Sequence, residues 1–196
     1  LLCAVNFSQV ADDYLDEGLG KDNLEPYKEG KAYTALEHSW DEAFGYFGAA
    51  RAYPLYSDEE IGSKGGQENW QGYHDWNEDG SIDLAKEYNW GASINAAKRD
   101  LGSTTGTDFT NDIFSAFHAG RALIGSLQGE LTAEQMTELE MYRDAAVDGY
   151  EKAYAATVVH YINDVLGDMG NFGTEDYSFT DLAKHWSELK GFAMCF

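Results

Sequence analysis

Nine residues, Asp75-Trp76-Asn77-Glu78-Asp79-Gly80-Ser81-Ile82-Asp83, alternate oxygen donors with spacers and carry glycine at the sixth place. That is how an EF-hand-type calcium loop opens. In such a loop the first, third and fifth side chains face inward, glycine permits the sharp turn, and the seventh residue offers its carbonyl. Here those are Asp75, Asn77, Asp79, Gly80 and Ser81. Ile82 supplies the apolar anchor, and Asp83 reaches the ninth place directly or through a water. The twelfth place holds Lys86 instead of the closing glutamate, and the nearest carboxylate is Glu87. Two readings follow. One is a weak or slightly remodelled calcium site built from Asp75, Asn77, Asp79, Ser81, Asp83 and Glu87. The other is an acidic turn in which Asp83 caps the following helix.

A second constellation involves histidine. His38 precedes Asp41 and Glu42, His160 precedes Asp164, and His185 precedes Glu188. Spacings of three and four put each pair on one helix face. Facing helices of a bundle assemble histidine and carboxylate metal sites in this way, so His38, Asp41, Glu42, His160 and His185 define a candidate polar centre for iron or zinc, or for a small ligand. The alternative is a set of separate structural contacts, because 35 acidic residues place a carboxylate near most of the five histidines. Arg121, one turn from His118, could neutralise interior carboxylates. His74 is expected at the surface.

Helices must position these groups, because apolar residues recur at three- and four-residue intervals and strand-like alternation is scarce. The expected fold is all-α, a helical bundle with a long irregular insertion. The periodicity places helices over about 2–17, 31–48, 83–100, 108–127 and 132–166, and a last one from about Phe179. Ala35, Leu36, Trp40, Ala43, Phe44 and Phe47 form the apolar side of the second. Thr132 and Gln135 resemble a capping box, and Gly149 is a weak point inside the fifth helix. The segment from Ala49 to Asp83 carries the calcium-type loop, and a connection that long needs order of its own.

Composition narrows the function. The chain of 196 residues is 43% hydrophobic and 14% aromatic, enough for an ordered core read as a single helical domain over 1–196. Its net charge of -22 opposes binding to nucleic-acid backbones or anionic lipid and suits calcium-containing surroundings. No transmembrane segment is present. The two cysteines, Cys3 and Cys195, either form a disulfide between neighbouring ends or stay separate thiols. Leu1-Leu2-Cys3 looks superficially like a lipoprotein cleavage site, but no basic region or long apolar run precedes it. Both ends fall inside helical patterns, so the chain is expected to be a fragment of a longer protein. Phosphate-binding glycine loops, nucleophile elbows, Cys-x-x-Cys and His-Glu-x-x-His are missing from the sequence. The Gly62-Ser63-Lys64-Gly65-Gly66 run reads as a flexible loop.

The stretch Glu37 to Gly48, the Asp79 to Asp83 loop, Asn95 to Asp100, Phe117 to Arg121, His160 to Asp164 and Lys184 to Phe192 together resemble a bacterial family. It is the domain of unknown function four-eight-five-six, similar to imelysin-like envelope proteins, and the resemblance covers nearly the whole chain. It implies an imelysin-like helical fold, a periplasmic or cell-surface location, a lipid anchor supplied from upstream and links to metal uptake. The imelysin Gly-x-His-x-x-Glu motif is altered here, with Leu36 at the glycine, His38, and Asp41 in place of the glutamate beside Glu42. The expected function is therefore an extracytoplasmic metal- or small-ligand-binding protein with a structural calcium loop. A metallopeptidase-like hydrolase and an envelope assembly module using Trp70, Tyr73 and Trp76 are the alternatives.

Overall fold

The computed structural model describes residues 5–63, 72–127 and 129–196. Expectations for Leu2, Cys3, Trp70 and the Lys64-Gly65-Gly66 run lie outside those residues. The described chain is helical, and among the described residues only two isolated antiparallel bridges form, Pro26 with Thr34 and Tyr73 with Tyr88.

Helix α1, Asn6–Tyr14, is wound wider than an α-helix. Leu15 N–H donates to the Val10 carbonyl five residues back. A short tight turn at Glu17–Gly20 ends this region. Helix α2, Ala35–Phe47, opens with a capping box in which Thr34 Oγ1 accepts from Glu37 N–H and the Glu37 carboxylate accepts from Thr34 N–H. Helices α3, Ala92–Leu101, and α4, Phe109–Ser126, follow, the latter capped by Asp108. Helix α5, Ala133–Gly170, starts at the expected Thr132/Gln135 capping box and runs 38 residues, about 57 Å at 1.5 Å per residue. Ser178 caps helix α6, Phe179–Ala193.

Two sequence expectations change. Asp83 caps no helix, because residues 84–90 are held alongside the end of α2 instead. Arg51 N–H reaches the Lys86 carbonyl at 2.7 Å, Ala50 N–H reaches Asn89 Oδ1 at 2.7 Å, and Trp90 N–H reaches the Gly48 carbonyl at 2.9 Å. Tertiary hydrogen bonds thus take the backbone that a longer α3 would use. Gly149 is not a break in α5. A Cβ there would lie 2.5 Å from Ile113 Cγ1, so the glycine lets α4 press closely on α5.

The core is aromatic. Trp40 meets Phe117 edge-on with centroids 6.0 Å apart, Phe47 stacks on Phe117 at 6.3 Å, and Tyr150 of α5 meets Phe47 edge-on at 5.5 Å. Such offset and edge contacts are the favoured arrangements of aromatic quadrupoles. The Trp40 ring lies directly on Gly120, where a Cβ would be 2.0 Å from Cζ2, and Trp40 Nε1 donates to the Phe117 carbonyl at 2.8 Å. Neither the ring nor the backbone can yield cheaply. Gly120→Ala should therefore lower unfolding free energy by about 3 kcal/mol through overpacking. Urea denaturation should show a lower midpoint with an unchanged slope.

Candidate functional site

The residues of the acidic loop are brought together, and the structure supplies a closure that the sequence hides. Tyr73 and Tyr88 pair at the neck, their rings stacked at 5.4 Å, and Asn89 N–H donates to the Gly72 carbonyl at 2.9 Å. Inside the neck lies Glu87, only 5% exposed. Its Oε1 accepts from Trp76 N–H at 3.1 Å and its Oε2 from Asp83 N–H at 3.0 Å. One buried carboxylate therefore clasps the second and ninth places of the loop. The offset from the twelfth place leaves Glu87 in this bridging role.

Within the loop the oxygens fold onto backbone donors. Asp75 accepts from Asp79 N–H at 3.2 Å and Gly80 N–H at 2.8 Å, while Asp79 Oδ1 accepts from Ser81 N–H at 2.9 Å and Ser81 Oγ at 2.7 Å. Asn77 Nδ2 donates to Asp79 Oδ2 at 2.8 Å. Gly80 takes the left-handed backbone its place requires, with φ of 85°. These bonds favour the charged carboxylate, so Asp79 titrates below its ordinary value, chiefly through Ser81. Asp83 does so chiefly through Lys86, whose ammonium lies 2.9 Å away.

No three His, Cys, Asp or Glu side chains among the described residues stand together as a ready metal group. The loop's donor set also includes Asn77, the Ser81 hydroxyl and backbone carbonyls, all hard oxygens of the kind calcium takes. The residue types fit such an ion. Asp75, Asn77, Asp79 and Ser81 would hold it, with Asp83 beside them and Glu87 holding the frame.

The three histidines of the candidate polar centre fall into two groups. His38 packs against the stacked pair Tyr27 and Tyr33, ring centroids 4.3 and 5.6 Å away, with Glu42 at 3.8 Å. Its helix neighbour Asp41 is bound by Arg121 Nε at 2.8 Å, and Arg121 Nη1 reaches Glu37 at 2.8 Å. The sequence placed Arg121 near carboxylates, and here it ties α4 to the capping residue of α2. Partial burial raises the Asp41 pKa despite the neighbouring guanidinium, although half of the side chain is exposed.

His160 and His185 face each other across the α5–α6 contact, and among the described residues they share no ion-pair partner with His38. His160 Nε2 lies 3.3 Å from Asp164, as the spacing predicted. His185 Nδ1 bonds Asp168 of α5 at 2.8 Å, and Glu188 faces Tyr161 instead. Sequence missed Asp168 because a partner on another helix leaves no spacing signal. Arg99 on α3 adds a nearby positive charge, with its Nε buried and unbonded among the described residues. The arrangement can hold and exchange protons at an interhelical seam.

A helical protein with one clasped oxygen-rich loop is the class these observations define. The chain belongs to the family described as a domain of unknown function (DUF4856), whose profile matches residues 5–192. Comparison with curated proteins and with solved structures returns no match.

The Asp168 hydrogen bond raises the His185 pKa above 6.5, whereas burial, then Arg99, lowers that of His160. The His185 contribution is complete below pH 6.5 and disappears as pH rises through its folded value; the His160 penalty grows as pH falls below 6.5 toward its folded value. Histidine NMR titration should separate the two, and Asp168→Asn should bring His185 back toward 6.5.

Proposed function

We propose that this chain is an extracytoplasmic, non-enzymatic binding domain whose 75–83 loop takes one calcium ion as a structural ligand. The observation that carries the reading is the Glu87 clasp, which gathers a loop of hard oxygen donors into one closed unit. The ion would replace the loop's internal hydrogen bonds to Asp75 and Asp79 and neutralise charge in a molecule of net charge -22. Location outside the cytoplasm is supported by Cys195, 5% exposed and disulfide-bonded, since such bonds persist in oxidising compartments. No helix among the described residues is long and apolar enough to cross a membrane.

The non-enzymatic reading is supported by the state of the altered motif. Asp41, which stands where a catalytic glutamate would, is engaged by Arg121, and His38 is packed against two tyrosines. A general base needs a free lone pair at the reacting proton. Arg121 takes it.

Calorimetric titration of chelator-treated protein with calcium should give one ion per chain. At free calcium a hundredfold above Kd, apparent stability should rise by about 2.7 kcal/mol. Asp79→Ala should abolish uptake while the bundle stays folded. Unchanged uptake in that variant would place the ion elsewhere, and no uptake by the wild type would end the calcium reading.

A further inference from the structure

We infer that the cavity between α2, α4 and the exit of the acidic loop binds a small aromatic monocarboxylate. The cavity measures about 420 Å³, within the range of small-molecule sites. Its floor is aromatic and rigid. Trp40, Phe44, Phe114 and Phe117 line it, with Phe44 edge-on to Phe114 at 5.8 Å and to Phe117 at 5.6 Å. Trp40 is locked by Gly120 and by its bond to the Phe117 carbonyl, so the floor is preformed. An apolar ring gains most from such a surface, because the flanking side chains are already ordered.

Charge at the mouth selects the sign of the ligand. Arg51, Lys86, His118, Arg121 and Asp41 complete the wall. Within the wall Arg121 offsets the charge of Asp41, while its second partner, Glu37, lies outside the lining. His118 stacks on Phe114 at 6.2 Å and serves the apolar wall. Lys86 pairs with one carboxylate, Asp83, at 2.9 Å and stays exposed, and the side chain of Arg51 makes no ion pair among the described residues. The two are held side by side by the 2.7 Å bond from Arg51 N–H to the Lys86 carbonyl. Two exposed cations over an aromatic floor are complementary to a carboxylate carried on an aromatic body. In a chain of 13 basic and 35 acidic residues, the cavity lining holds three cations, Arg51, Lys86 and Arg121, and one carboxylate, Asp41. It gives an anion a place that the rest of the surface opposes.

The inference names a ligand class for the proposed binding domain, yet the cavity itself needs no bound ion. The probes are 4-phenylbutyrate and 4-phenylbutan-1-ol, which share one apolar body and differ in the charged end. By calorimetry in calcium-containing buffer, the carboxylate should bind at least about tenfold more tightly than the alcohol, the worth of a charge-assisted hydrogen bond. Arg51→Gln combined with Lys86→Gln should erase that difference and leave the alcohol unaffected. Ala85→Trp, at the rim, should exclude both. Equal affinities, no binding by either probe, discrimination that survives the double variant, or binding that survives Ala85→Trp would each overturn the inference. Loss of calcium uptake with discrimination intact would sink the loop reading alone.

Discussion

The contact of the Trp40 indole with Gly120 fixes the separation of α2 and α4, and most of the molecule's polar geometry follows from that distance. A Cβ at Gly120 would fall 2.0 Å from the ring, so the helices meet more closely than any other residue would allow. The hydrogen bond from Trp40 to the Phe117 carbonyl then fixes the ring's orientation as well as its depth. At this spacing Arg121 spans both Glu37 and Asp41, each at 2.8 Å. The Glu37 carboxylate serves at once as the cap of α2 and as an ion-pair partner. Burial, capping and charge neutralisation are thereby coupled through one close approach.

The acidic loop is organised on a different principle. Its order is local, from turns that return side-chain oxygens to nearby N–H groups, and from Glu87 closing both ends. Its exit is tied to the bundle through Arg51, Ala50 and Gly48 beside the end of α2, and near its start Trp76 meets Tyr56 of the core edge-on at 6.3 Å. Its exit segment also forms the rim of the cavity above that core, where Lys86 lines the cavity and pairs with Asp83 of the loop.

Much of this fold is legible in the residues. Thr34 with Glu37, Asp108, Thr132 with Gln135 and Ser178 mark helix starts by local chemistry, and the apolar repeat from Ala35 to Phe47 marks the buried face of α2. The places where reading fails are those decided by distant partners. Asp83 has the type and position of a helix cap, yet the backbone beyond it is claimed by Gly48 to Arg51, and α3 starts only at Ala92. Glu188 has the right spacing for His185, but Asp168 on the neighbouring helix lies closer to the ring nitrogen. Gly149 has the composition of a weak point and the geometry of a packing contact. The oxygen pattern of the loop was legible; the bridging role of Glu87 was not, because a clasp requires knowing which N–H groups face inward.

Trp76, at the second place of the loop, offers a direct test of whether that loop holds an ion. Terbium shares calcium's preference for hard oxygen ligands, and tryptophan within a few ångströms sensitises its emission. Excitation of the indole in terbium-loaded protein should give green emission that saturates at one ion per chain, fades on addition of calcium and is lost in Trp76→Leu. Emission that persists in Trp76→Leu, or that calcium fails to displace, would contradict an ion site at residues 75–83.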